Sequence, residues 1–576
     1  MNNDRKNMDY NSIIGIILIL LIIISFTYWN YPIINNNFNN KKQTFFIKKK
    51  QYKNNSILEN KLIKIGISNI GGIINEVCLK KYKVYDFNNF SHKKNLFLIK
   101  NSSLEYNFIF FDKKHHKINT QFLYFSPYFY VKNGNSVLIM KANNPYGQGF
   151  IEYKYILKPN DYNINFMIKT KNLYYELNKQ YPIYLNIEQY LYSLEKDKIW
   201  ENSYTQVYYS YNKKKNKITY SNIKSLSEKH YENIKINNLN WIAHKQQFFS
   251  SIIIPNKPLN NFFVSSDNIY SGNVLKKIKS ITWFKVTNSI KDEFNISFKL
   301  YFGPLDIKYL QKFENKLENI IPFGWGFLKL INKYFFLPIF ILLEKTNLNY
   351  GIIIILMTLV VKIILIPMTY TQYKLNAIMK IIKPQIDKLN HKLKNVHPLD
   401  KQKSIMELYK KAGITPLSGC LSTLLQIPIF YSLFKFFPNL INIRGQSFLW
   451  VEDLTSYDSI LQLPFSIPFY GNHVSLLTLL YSIALLIYTK LNNSDFTTTN
   501  NKYNDDDTKV EDNSAELRMF LSYVMPIIML LFINSYASAL SLYYFISNII
   551  NIGLLSFIRK YFLNRKKIYK KISHNI

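Results

Sequence analysis

The sequence predicts a membrane protein with two architectures in series: a large all-β sandwich, then an α-helical bundle of membrane spans, the whole tethered by an N-terminal anchor span. Three observations predict this. Between about residues 57 and 302 the apolar side chains recur at every second position. After residue 349 come apolar stretches at 351–368, 417–437, 474–489 and 519–558, the first three suited to one crossing of a hydrocarbon core about 30 Å thick and the last to two. Residues 13–29, IIGIILILLIIISFTYW, are almost continuously apolar.

Taken in order, residues 1–30 form a cytoplasmic end and an uncleaved anchor. Arg5 and Lys6 are offset by Asp4 and Asp9, and no small-residue cleavage site follows the apolar run. Residues 31–56, rich in Asn and Lys, read as a tether. The sandwich occupies 57–320 and ends in a helix over 305–320. Its clearest signal is FIEYKYILKPNDYNINFMIKT (150–170). Ile151, Tyr153, Tyr155 and Leu157 share one face, Pro159-Asn160-Asp161 turn the chain, and Ile164, Phe166 and Ile168 resume on the return strand. Similar aromatic runs at 124–131 and 206–211 add strands.

Residues 321–349 carry Lys329, Lys333 and Pro338 among aromatics, and read as an amphipathic helix lying on the outer membrane surface. Span 2 follows at 350–370. Residues 371–416 form a cytoplasmic helical hairpin, helices over 370–395 and 399–412, broken or bent near Pro384. Span 3 is 417–437, an outer loop 438–473, span 4 474–490, and a solvated linker 491–517. The uncharged stretch within 518–558 is about 60 Å of helix at about 1.5 Å per residue, twice the bilayer core. It divides at Asn534-Ser535-Tyr536-Ala537-Ser538 into spans 5 and 6. Residues 559–576 are a basic tail. Lysine-rich 371–416 and the tail belong inside, and the loop 438–473, with Arg444 as its one strong base, belongs outside. Both termini are then cytoplasmic and the sandwich lies on the outer side.

Composition limits the function classes. Lys+Arg 73 against Asp+Glu 36 gives a net charge of +37, but the cations are dispersed, and no nucleic-acid-binding signature accompanies them. Cys78 and Cys420 are assigned to different compartments and do not form a disulfide framework. The pair His115-His116 is flanked by Lys113, Lys114 and Lys117, which repel a metal cation. Nucleotide-binding GxxxxGK[ST], HExxH and GxSxG motifs are absent from the sequence, and no cofactor is implied.

One residue stands out. Lys362 interrupts GIIIILMTLVVKIILIPM (351–368), about 17 Å along the helix from Gly351 at about 1.5 Å per residue. A cation inside a span costs about 2.5–3.5 kcal/mol on insertion scales, so it faces protein or water. The competing reading is a lysine that snorkels to the interface.

Four stretches, NYGIIIILMTLVVKIILIPMTYTQYKLNAIMKIIKPQI (349–386), ELYKKAGITPLSGCLSTLLQIPIFYSLF (407–434), QSFLWVEDLTSYD (446–458) and LSLYYFISNIINI (540–552), together resemble the YidC/Oxa/Alb family of membrane protein insertases, in its six-span bacterial form with a periplasmic domain. SNIGGIINEVCLKKY (68–82) and WIAHKQQFF (241–249) resemble core strands of that domain. The resemblance implies a five-span insertase core with a hydrophilic groove open to the cytoplasm and to lipid, closed outside, that inserts and helps fold inner-membrane proteins without nucleotide hydrolysis. It places Lys362 at the groove cation, where many members carry arginine. The charge survives and the planar fork of donors does not. Gln426, Tyr543, Tyr544 and Asn548 are candidate groove residues beside it, with Ser541 nearby; ordinary interhelical packing is the alternative for each. Pro428 and Pro526 are read as helix-shaping. Nascent inner-membrane proteins, the Sec translocon and the bilayer are the implied partners, with the ribosome at the basic tail. A polytopic transporter of small solutes or lipids is the alternative class. It predicts internal repeats and discontinuous spans in both halves, which the sequence does not display. An anchored envelope enzyme or glycan binder centred on the sandwich is a third.

Overall fold

The computed structural model describes residues 55–561 apart from 87–90, 101, 174–176, 179, 216–217, 227–230, 270–271, 286–293, 394–397, 412–417, 468–469 and 494–512. The anchor at 13–29, most of the tether, most of the 491–517 linker and nearly all of the tail lie outside the described residues. Two compact units emerge, Pro32–Ile321 and one that includes Pro322–Ile576.

The first unit is built from antiparallel sheets of nine, six and four strands. The alternation in 150–170 becomes a hairpin of Phe150–Leu157 and Asn163–Lys171, with Leu157 opposite Ile164. Asn160 supplies the left-handed residue of the turn, at φ 55°. The strands are amphipathic with period two: Ile151, Tyr153, Tyr155, Leu157, Ile164, Phe166 and Ile168 are all buried. They meet the six-stranded sheet face to face, where Phe108 and Tyr153 set their rings edge to face at 6.2 Å. The Tyr155 hydroxyl donates to Gly72 O at 2.6 Å and lies 2.6 Å from the Tyr106 hydroxyl, which accepts from Ile74 N. Gly72 has φ +64°, and a Cβ there would stand 2.9 Å from the Tyr153 ring. Only glycine fits that turn.

The run 241–249 covers the end of strand Leu239–Lys245 and the start of strand Phe249–Pro255. Every residue of it is buried, including His244, Lys245, Gln246 and Gln247. These polar groups find partners. Lys245 Nζ donates to Tyr204 O at 2.8 Å, at the end of a short helix, α1 (Lys198–Tyr204). His244 Nδ1 lies 2.6 Å from Gln189 Oε1, and Gln189 Nε2 donates to Ser251 Oγ at 3.0 Å. Burial in the core pulls the Lys245 ammonium down to about 7 and His244 to about 4. Glu201 on α1 accepts from Leu194 N and from Ser193 Oγ, yet burial, reinforced by Glu195, lifts it to about 8.

The segment expected as a helix over 305–320 is not one. Asp306 caps a single helical turn, Ile307–Leu310, and the chain then turns to a 3-10 segment, Leu317–Ile320. Lys316 takes φ 54°, a conformation an α-helix cannot continue through. Phe313 folds back onto Tyr301 instead.

The second unit is helical. α2 (Gly326–Glu344) contains a π-helical turn at Asn332–Phe336. Next come α3 (Tyr350–Lys392), α4 (Pro398–Lys411), α5 (Ser418–Phe436), α6 (Leu476–Asn493), α7 (Asn513–Ile533) and α8 (Ser538–Tyr561). Among the described residues, Gly326–Glu344, Tyr350–Leu375 and Ser538–Ile558 are long and apolar enough to cross a membrane, with shorter apolar helices at Leu476–Asn492 and Tyr523–Ile533. α8 packs against both α3 and α6, α6 against α7, and α3 against α5. Residues of span 2 and the first arm of the lysine-rich hairpin form one helix, which continues through Pro384, so of the expected break or bend the break does not occur. A mid-helix proline costs about 3 kcal/mol. Contacts on both sides of Pro384 offset that cost: Leu375, Ile378, Ile382 and Ile386 pack on a cluster with Leu408 and Tyr409 of α4.

Candidate functional site

The site is built where α3 meets α8. Asn349 starts α3 by accepting from Gly351 N at 2.8 Å, and its amide donates to Ser447 O of the following loop. A Cβ on Gly351 would fall 2.0 Å from the Phe448 ring, so this glycine is what lets the loop close on the helix end. Two turns along, Thr358 is buried and returns its hydroxyl to Ile354 O. Lys362 follows one turn later on the same face.

Lys362 is only 8% exposed, and its Nζ donates to Asn551 Oδ1 of α8 at 2.9 Å. The ammonium is thereby tied to a neighbouring helix. The stretches 350–370, 417–437, 474–490 and 518–558 contain no Asp or Glu. The Lys362 ammonium is therefore satisfied by a neutral acceptor, without cancellation of its charge.

α8 supplies the rest of the polar face. Ser541, Tyr544, Asn548 and Asn551 are spaced by three, four and three residues, and all are buried. Ser541 Oγ lies 3.2 Å from Thr478 Oγ1 of α6. The Tyr544 hydroxyl donates to Phe430 O of α5 at 3.4 Å, with its ring against Phe430 and Tyr481. Tyr544 thus bridges three helices, while Tyr543 turns toward Phe437 and serves packing. Asn548 lies one turn from Asn551 on the same face. Gln426 is on α5, but its side chain lies outside the described residues. The structure thus joins Lys362 to α8 at Asn551, with Asn548 one turn along, while Tyr544 lies against α5 and α6 and Tyr543 against Phe437.

Below Lys362, toward the lysine-rich hairpin, Tyr373, Leu555 and Ile558 form a cluster with Tyr370, Tyr488 and Leu491. The Tyr373 hydroxyl lies 3.4 Å from both Asn551 O and the Tyr488 hydroxyl. The opposite end is closed by a polar lacing. Ser538 N and Oγ donate to Ser456 O, and Ala539 N donates to Leu454 O. Asn534 donates to Tyr470 O and His473 O and accepts from Ser475 N. Asp458 accepts from Trp450 Nε1, Leu477 N and the Ser475 hydroxyl. Among the described residues no group of three or more His, Cys, Asp or Glu is arranged to hold a metal ion. His116 instead pairs with Asp112 at 2.8 Å and stacks on Tyr146.

Comparison with known proteins agrees with this division. The family model described as 60Kd inner membrane protein matches residues 341–566, and that described as YidC periplasmic domain matches 57–338. The membrane protein insertase YidC of Parabacteroides distasonis is 35% identical over 534 residues, covering 90% of this chain and 79% of the relative. That of Azobacteroides pseudotrichonymphae is 31% identical over 610 residues, covering 99% and 94%. That of Amoebophilus asiaticus is 32% identical over 537 residues, covering 90% and 83%. Both halves match in order and at nearly full length, and the chain belongs to the YidC family of membrane protein insertases.

Proposed function

We propose that this insertase receives the polar segment of a nascent inner-membrane protein at the α3–α8 seam, with Lys362 as the attracting charge, and works without hydrolysing a nucleotide. The single observation that carries the reading is the buried Lys362 ammonium, held by neutral Asn551 in spans that contain no acid. An unsatisfied backbone polar group in hydrocarbon costs several kcal/mol. A hydrophilic loop therefore crosses only where protein or water supplies hydrogen bonds. Lys362, Tyr544, Asn548 and Asn551 offer such partners part-way across, and the ammonium favours acidic loops. Burial of the client's own apolar span then drives insertion. The client span leaves beside α5 and α7, which meet through Phe434, Phe532 and Tyr536 at the laced end. Gln426 is assigned to the same groove on the family resemblance.

The orientation we infer puts both termini and the 371–416 hairpin in the cytoplasm, six spans in the inner membrane, and the sandwich in the periplasm. α2 then lies along the outer surface: Trp325, Phe327, Leu330, Tyr334 and Leu342 are exposed, which suits a helix half-sunk among lipid headgroups. The Sec translocon and, at the basic tail, the ribosome are the proposed partners. The transporter alternative gains no support from the matches above.

A pulse-labelled insertion assay across clients of graded loop charge tests the reading. Lys362→Arg keeps activity, because the charge is retained. Lys362→Glu loses acidic-loop clients by about tenfold or more, the factor that about 1.4 kcal/mol represents. Wild-type activity in Lys362→Glu at normal abundance would refute it. Orientation is checked by impermeant thiol labelling: Ser447→Cys reacts from outside and Ser404→Cys does not, and external labelling at position 404 would overturn the six-span arrangement.

A further inference from the structure

Asn551 belongs to none of the candidate residues that the sequence pointed to, yet among the described residues its side chain is the one bonded to Lys362. We propose that Asn551 is a specificity-determining residue of insertion, which fixes the direction of the Lys362 ammonium while leaving its charge available to carboxylates in the client's translocated segment. The proposal rests on the groove reading above.

Three observations carry it. The contact is direct and short, Nζ to Oδ1 at 2.9 Å, and both residues are buried, at 8% and 7% exposed. The turn of α8 that bears Asn551 is itself held to α3, since the Tyr373 hydroxyl lies 3.4 Å from Asn551 O. The acceptor is neutral, and no acid exists anywhere in spans 2 to 6 to do the neutralising.

The chemistry follows from the donor count. An ammonium has three N–H donors and no acceptor. Asn551 satisfies one, which offsets part of the desolvation and restricts a long flexible side chain. Two donors and the whole positive charge are left for an incoming carboxylate. Aspartate at the same place would accept the same hydrogen bond more strongly and cancel the charge. Asn and Asp are nearly isosteric, so Asn551→Asp separates two roles. If Asn551 only packs α8 against α3, Asn551→Asp is neutral or favourable. If Asn551 preserves the charge, the substitution removes the insertase's preference for acidic clients.

The test measures insertion of paired clients, one with an acidic and one with an uncharged translocated segment, by proteoliposomes holding matched amounts of full-length protein. We expect Asn551→Asp to lower the ratio of acidic to uncharged insertion at least about tenfold; tenfold corresponds to about 1.4 kcal/mol. Asn551→Leu, which keeps the branched shape and removes the acceptor, lowers the same ratio about threefold. An unchanged ratio in Asn551→Asp, or an equal loss for both clients in both variants, overturns the proposal and leaves a packing role. Lys362→Ala run beside them separates the two failures. If it keeps the wild-type ratio, the groove reading itself is wrong; if it loses the ratio while Asn551→Asp keeps it, only the role of Asn551 is.

Discussion

Lys245 in the first unit and Lys362 in the second are both buried, and they are alike in almost every local respect. Lys245 is 1% exposed and donates to Tyr204 O at 2.8 Å; Lys362 is 8% exposed and donates to Asn551 Oδ1 at 2.9 Å. Each ammonium has a neutral oxygen as its hydrogen-bond partner. The difference lies in what holds the acceptor and what surrounds it. Tyr204 O is a backbone carbonyl at the end of a short helix, within a core closed by Trp241, Phe248 and Phe249. Its lysine also lies 5.7 Å above the Tyr204 ring, a second interaction that fills the site. Asn551 Oδ1 is a side-chain atom on a face that continues through Asn548 and Tyr544, between spans that family membership assigns to protein insertion. Burial of a lysine does not by itself mark a functional site. What sets Lys362 apart is the polar face leading to it and an acceptor that can be exchanged without breaking a helix.

The comparison is broken most forcefully at Lys245. Lys245→Ala opens a cavity in the sandwich core and strands Tyr204 O, and we expect a loss of about 2–5 kcal/mol in unfolding free energy with little effect on insertion per folded molecule. Thermal unfolding and insertion, measured on the same preparation, check this; a stable Lys245→Ala protein that fails to insert would make Lys245 functional as well.

A smaller effect sharpens it. Burial holds the Lys245 ammonium at about 7, against an ordinary 10.5. Between those values the unfolded chain binds a proton that the folded core does not, so this site's contribution to stability rises with pH from about 7 toward 10.5 and is flat below 7. Lys245→Met removes the titration. The stability difference between the two proteins should therefore stay constant from pH 5 to 6.5, then move in favour of the wild type by at most about 1.4 kcal/mol per pH unit above 7. A difference independent of pH across that window would show that the lysine keeps its proton in the core.

Much of this architecture was legible in the sequence because it depends on periodicity. The hairpin at 150–170 follows from alternation plus a turn tripeptide, and the division of 518–558 at Asn534–Ser538 follows from length alone. Lys362 was legible because a cation in an apolar run has few places to go. What escaped depends on partners far along the chain. Asn551 lies 189 positions from Lys362, although its place on one α8 face with Tyr544 and Asn548 was a readable signal. Asp458 and Asn534 looked like loop residues, and their work is to tie Ser475, Leu477 and His473 into the laced end. The apolar pattern of 305–320 reads as a helix, but Lys316 turns left-handed and Phe313 packs back on the strand end. Pro384 reads as a break or bend because the sequence does not disclose that α4 supports both sides of it.

The most direct test of the account sets the two lysines side by side. Lys362→Met and Lys245→Met, reconstituted at matched amounts of folded protein, are assayed for insertion against the number of acidic residues in the client's translocated segment. The account predicts that Lys362→Met flattens that dependence while Lys245→Met reproduces the wild-type slope. A wild-type slope in Lys362→Met, or equal flattening in both, would contradict it.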